Sequence, residues 1–70
     1  MANRLTGTVV RYDGSKGYGF IQADKGQEVF VHYSALQGDG LHLLSAGDRV
    51  EFVLEEGYRG PQAQQVVRLN

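Results

Sequence analysis

The sequence predicts an all-β domain, five short strands closed into a small barrel, and three observations carry that expectation. Apolar residues recur with a period of two, and no segment shows the period of an amphipathic helix. Turn-forming clusters interrupt the chain at Asp13-Gly14-Ser15, Asp24-Lys25-Gly26 and Gly57-Tyr58-Arg59-Gly60-Pro61. Seventy residues allow one domain, residues 1–70, with a thin core, and closing the sheet removes its exposed edges.

The first strand is expected over about residues 5–12, ending at Asp13-Gly14-Ser15. The second runs over residues 17–23 and the third over residues 28–33. An irregular stretch follows over residues 34–46, in which Ser34-Ala35-Leu36-Gln37 is long enough for a single helical turn. The fourth strand sets Val50, Phe52 and Leu54 against Glu51, Val53 and Glu55, an apolar face backed by a mostly acidic one. An acidic face repels phosphate, so it is expected away from any nucleic-acid surface. Residues 62–69 form the last strand.

The second and third strands carry the functional signal. If Ile21, Val29 and Val31 point into the core, alternation gathers Tyr18, Phe20, Phe30 and His32 on the opposite face. The reverse assignment would put the valines in water and the rings in a thin core. A small protein that exposes a row of rings beside Lys16 is equipped to stack flat ligands next to a cation, and nucleic-acid bases with their phosphates are the obvious ones. Gly17 and Gly19 are expected to let a base approach between the rings. Phe52 reads as core, Tyr58 as an ordinary exposed tyrosine, and His42 as solvated.

The formal charge of −1 is low for a nucleic-acid binder. It is unevenly spread: residues 1–33 carry four cations against three acids, and residues 34–70 carry three against five. Affinity is therefore expected to rest on stacking more than on bulk attraction. No cysteine is present, so disulfides and thiolate metal sites are excluded, and two separated histidines make a poor metal site. No cofactor and no small-molecule substrate are implied. Glu55 and Glu56 alternate across a strand, and no nucleophile has a base and orienting group, so an enzyme is not indicated. The opening residues lack a secretory apolar run and no stretch approaches a membrane span. The expectation is a cytoplasmic monomer with no membrane partner.

Lys16-Gly17-Tyr18-Gly19-Phe20-Ile21 matches most of an RNA-binding pattern in which a cation precedes Gly-aromatic-Gly-Phe. Its place on a second strand, with another strand following and no helix, argues for an oligonucleotide-binding (OB) barrel, whose second and third strands bear the ligand face. With Val29-Phe30-Val31-His32-Tyr33-Ser34-Ala35, Gln37-Gly38-Asp39-Gly40 and Gly60-Pro61-Gln62-Ala63, the chain resembles the bacterial cold-shock protein family over nearly its whole length. The resemblance implies a five-stranded antiparallel barrel that binds single-stranded RNA and single-stranded DNA. It also implies an RNA chaperone that keeps transcripts unstructured, with roles in regulating transcription or translation.

Carried over by position, Tyr18, Phe20, Phe30, His32 and Tyr33 would stack on bases, Lys16 and Arg59 would meet the backbone, and Gln62 would lie near a base. Where the family usually has Trp-Phe-Asn, this chain has Arg11-Tyr12-Asp13, preceded by Val10 in place of a frequent lysine. Where an aromatic usually follows Gly40, it has Leu41. Arg11, Tyr12 and Leu41 thus complete the candidate set, with Arg11 able to lie flat on a base through its planar group and Leu41 able only to cover one. Asp13 adds a negative charge beside the site. The competing reading makes the same aromatic patch the docking surface of a protein-interaction module.

Overall fold

The computed structural model describes residues 4–36 and 44–69. Strands β1 (Arg4–Asp13), β2 (Tyr18–Ala23), β3 (Glu28–His32), β4 (Arg49–Gly57) and β5 (Gly60–Arg68) form a closed barrel in the order β1-β2-β3-β5-β4. The sheet is antiparallel except at its closing seam, where Phe30 and Val31 of β3 run parallel to Gln62 and Ala63 of β5. β3 ends one residue earlier than alternation suggests. His32 caps a 3-10 turn, Tyr33–Ala35, by accepting the Ser34 amide on its side chain, and this takes Tyr33 off the strand.

The core follows the alternation. Ile21, Val29, Val31, Val50 and Phe52 are fully buried, packed with Val9, Ala63 and Val66. Complete removal of one such side chain from water is worth about 1.5–3 kcal/mol. Val53 points the other way yet is buried outside that cluster. Arg4 lies opposite it in register and reaches Glu51 and Gln65 on the same face.

Two bulges set where side chains point. In β1 the pairing steps from Val9–Ile21 to Arg11–Phe20, so Val10 is the extra residue. Val9 therefore faces inward while Arg11, two residues on, faces outward beside Phe20. The Val9 amide and carbonyl are paired with the Asp48 carbonyl and the Gly47 amide at 2.9 and 2.8 Å, so the bulge loses no bonds there. In β5 the pairing steps from Gln64 to Val67, with Gln65 in the left-handed region at φ 52°. Both Ala63 and Val66 consequently face the core.

Candidate nucleic-acid interface

Register assembles the outer face of β2 and β3. Phe20 lies opposite Phe30 and Tyr18 opposite His32. Arg11 of β1 extends the first pair on one side, and Gln62 of β5 on the other. The row thus reads Arg11, Phe20, Phe30, Gln62 across four strands, with Tyr18 and His32 beside it. Phe30 meets Phe20 edge-on at 5.8 Å between centroids and Tyr18 at 5.7 Å with the planes 31° apart. Such contacts are mutually favourable and hold the rings without burying their outer surfaces. Tyr18 and Tyr33 are exposed, and Phe20 and Phe30 are half-buried.

His32 and Tyr33 form a second pair at 4.4 Å. His32 Nδ1 accepts the Ser34 amide at 3.3 Å and lies 2.9 Å from the Ser34 hydroxyl oxygen, which fixes the ring beside Tyr33. The Tyr33 ring lies over Gly17, where a Cβ would sit 2.6 Å from Cδ2, and the Gly17 carbonyl accepts the Tyr33 amide at 2.8 Å. The turn before β2 and the turn after β3 are thereby tied together at one edge of the ring row.

Two guanidiniums stand over the rings. Arg11 is 5.1 Å from the Phe20 centroid and Arg59 is 5.4 Å from that of Phe30, both within cation–π range. Among the described residues neither is paired with a carboxylate. Together with Tyr18, Phe20 and Phe30 they line an open depression of about 370 Å³. A second depression of about 510 Å³, lined by Arg11, Tyr18, Lys16 and the Asp13–Gly14 turn, adjoins it. Arg11 and Tyr18 border both, so the two form one track.

The acid beside the track is held by its turn. Asp13 Oδ1 accepts the Ser15 hydroxyl at 2.7 Å and the Ser15 and Lys16 amides at 3.0 and 3.3 Å. These bonds, the hydroxyl first, hold its carboxyl below the usual aspartate range. The acidic outer face of β4 lies partly apart from the rings, as expected, with Glu51 engaged by Arg4 at 3.1 Å. Glu55 comes nearer, since it lies opposite Gln62 and ends the ring row one strand further on.

Three expectations are refined. Tyr12 is not a fully exposed contact: it is half-buried and lines the larger depression beside Arg11 and Lys16. Its ring packs against the core, its hydroxyl is buried with no hydrogen-bond partner among the described residues, and burial pushes the phenol's pKa up. The Val10 bulge turns Arg11 out and Tyr12 in. Nor do the glycines clear a path for bases: a Cβ on Gly19 would collide with the Arg11 carbonyl and lie 2.6 Å from the Tyr12 Cα. Gly17 and Gly19 admit the chain's own neighbours instead. Arg59, expected on the phosphate backbone, sits over Phe30 and still borders the open depression where a strand would lie. Leu41, with His42 and the Gln37–Gly40 motif, lies outside the described residues.

Residues 5–69 match the family model of the 'Cold-shock' DNA-binding domain. The chain belongs to the cold-shock domain family. It is 51% identical over 65 residues to cold shock-like protein CspE of Bacillus anthracis, covering 93% of this chain and 97% of that one. It is 50% identical over 64 residues to cold shock-like protein CspLB of Listeria monocytogenes, covering 91% and 97%. Cold shock-like protein CspB of Yersinia pestis is 49% identical over 70 residues, covering 99% and 100%. The barrel also superposes on a solved Drosophila structure, Unr CSD456, with a TM-score of 0.80 at 23% identity. That match spans 97% of this chain and 27% of the other, and it shows the shared fold.

Membership places the chain in a family of nucleic-acid-binding domains. This cold-shock domain has, among its described residues, no helix long and apolar enough to cross a membrane. Among its described residues, no group of three or more His, Asp or Glu is placed to hold a metal ion. Sequence reasoning missed the placement of Arg59 over Phe30, because it sits in a turn where no periodicity fixes its direction. It also missed the support Tyr33 takes from Gly17. No periodicity signals that contact, since Gly17 precedes β2 and has φ 79°.

Proposed function

We propose that this cold-shock domain binds single-stranded RNA and DNA with little dependence on sequence, as an RNA chaperone that contributes to control of transcription or translation. The observation that carries the reading is the outward ring row of Tyr18, Phe20, Phe30 and His32, backed by a core that does not need those rings. Successive bases stack on the rings, while Lys16 and the two unpaired guanidiniums meet the negative charge of the strand. The protein holds a strand open by binding the open form better than the paired one, and this takes no nucleotide hydrolysis. One barrel face suffices, so the working unit is a monomer, acting in the cytoplasm.

A labelled pyrimidine-rich strand tests this by fluorescence anisotropy, since the chain has no tryptophan to quench. Phe30→Ala is expected to lose about 1–3 kcal/mol of affinity while circular dichroism shows an intact barrel. Affinity should fall with salt, with a slope of about −0.7 for each phosphate neutralised. Undiminished, salt-insensitive binding in a folded Phe20→Ala/Phe30→Ala variant would overturn the reading and favour protein docking on the ring patch.

A further inference from the structure

Within otherwise sequence-tolerant binding, we infer that Arg11 reads one base of the bound strand and selects guanine there. The inference rests on the single-strand reading above and concerns the same face. Four observations converge on Arg11. The Val10 bulge turns it onto the ring face, directly opposite Phe20. Its guanidinium lies 5.1 Å from that ring, and among the described residues no carboxylate or carbonyl takes up its donors. It borders both depressions of the track together with Tyr18, so a base seated against Tyr18 presents an edge to it from either side. It stands on a paired strand, whereas Arg59 projects from a turn, so its direction is the better fixed of the two.

The chemistry of the donor decides which base is selected. A guanidinium is a planar fork of N–H groups with no acceptor, so it pairs best with two adjacent acceptors in one plane. Guanine offers O6 and N7 in that arrangement. Adenine sets an amino donor beside N7, and thymine or uracil separates its two carbonyls by an N–H. Cytosine presents N3 and O2, but its single ring covers less of the platform than a purine does. An indole at this position would stack on any base with equal indifference. A fork held over a ring stacks and reads at once.

The test compares a short oligothymidylate with the same strand carrying one central guanine, adenine, cytosine or 7-deazaguanine, all titrated by anisotropy against the intact protein. The guanine strand is expected to bind about tenfold tighter than the unsubstituted one. The adenine, cytosine and 7-deazaguanine strands should recover little of that gain, the last because it lacks N7. Arg11→Met keeps an unbranched stem and removes the fork with its donors. It should weaken every strand and bring the guanine ratio close to one. Equal gains for guanine and adenine would assign the effect to purine stacking, and equal gains for guanine and cytosine would remove the selectivity. A ratio unchanged by 7-deazaguanine or by Arg11→Met would show that Arg11 does not read the base. Each of those results overturns the inference while leaving single-strand binding intact. Failure of every strand to bind would overturn the underlying reading as well.

Discussion

Arginines on two sides of this barrel are used in opposite ways. On the outer surface of β1 and β4, Arg4 meets Glu51 at 3.1 Å, and Arg49 meets both oxygens of Asp24 at 2.8 Å. Arg49 also donates to Thr8 at 2.8 Å, and Asp24 accepts the Thr6 hydroxyl at 2.6 Å. On the ring face, Arg11 and Arg59 lie over Phe20 and Phe30 with no acid against them among the described residues. A net charge of −1 therefore hides a division of labour. Glu51 and Asp24 are spent holding strands together, while Arg11 and Arg59 on the ring face keep their charge available. For a binder of one strand, where charge sits matters more than its total.

The sharpest way to break that contrast is to place an acid on the ring face. Gln62→Glu preserves shape while setting a carboxylate beside Phe30, within the row that ends at Glu55. Strand affinity at low salt should fall about tenfold, with the gap closing as salt rises. Unchanged affinity in a titration at low salt would mean that local charge on this face is irrelevant to binding.

A smaller effect sharpens the boundary between the ring face and the core. Tyr12→Phe removes the buried hydroxyl that has no partner among the described residues. Urea denaturation should show a gain of about 1 kcal/mol, because the cost of desolvating that group disappears. A loss of stability would mean that the hydroxyl is satisfied in solution.

The smallest effect tests the paired side. Hydrogen bonds from Arg49 first, then Thr6, hold the Asp24 carboxyl well below the usual aspartate range. The folded state thus binds this proton less tightly than the unfolded one. The pair supports folding fully above about pH 4, and that support fades as pH falls toward the lowered folded value. Asp24→Asn should lower the urea midpoint at neutral pH and leave strand binding alone, with its deficit shrinking in acid. An equal deficit at neutral and acid pH would show that charge is not what the pair contributes.

Much of this was legible before the structure. Period-two alternation separated Ile21, Val29 and Val31 from Tyr18, Phe20 and Phe30, because a strand buried on one face leaves little freedom of register. The direction of Arg11 was not legible from the strand pattern. Nothing in Val9-Val10-Arg11 marks a bulge, and the bonds that accommodate it come from Gly47 and Asp48, far along the chain. The same holds for Ala63 and Val66, which share the core only because Gln65 is inserted between them. The half-buried placement of Tyr12 was illegible for the same reason as the outward direction of Arg11. Local pattern gives the faces of a regular strand, and bulges are settled by partners that local pattern does not see.

The parallel seam between β3 and β5 has a consequence for life in concentrated solution. Phe30 lies on β3, the strand that would be the edge of a simple three-stranded meander. A ring-bearing edge of that kind invites other chains to add strands and grow into fibrils. Gln62 and Ala63 cover the backbone of β3 at Phe30 and Val31, so the surface is adhesive through its side chains alone. With its rings turned toward bound nucleic acid, the protein offers neighbouring copies no unpaired β3 backbone at Phe30 and Val31.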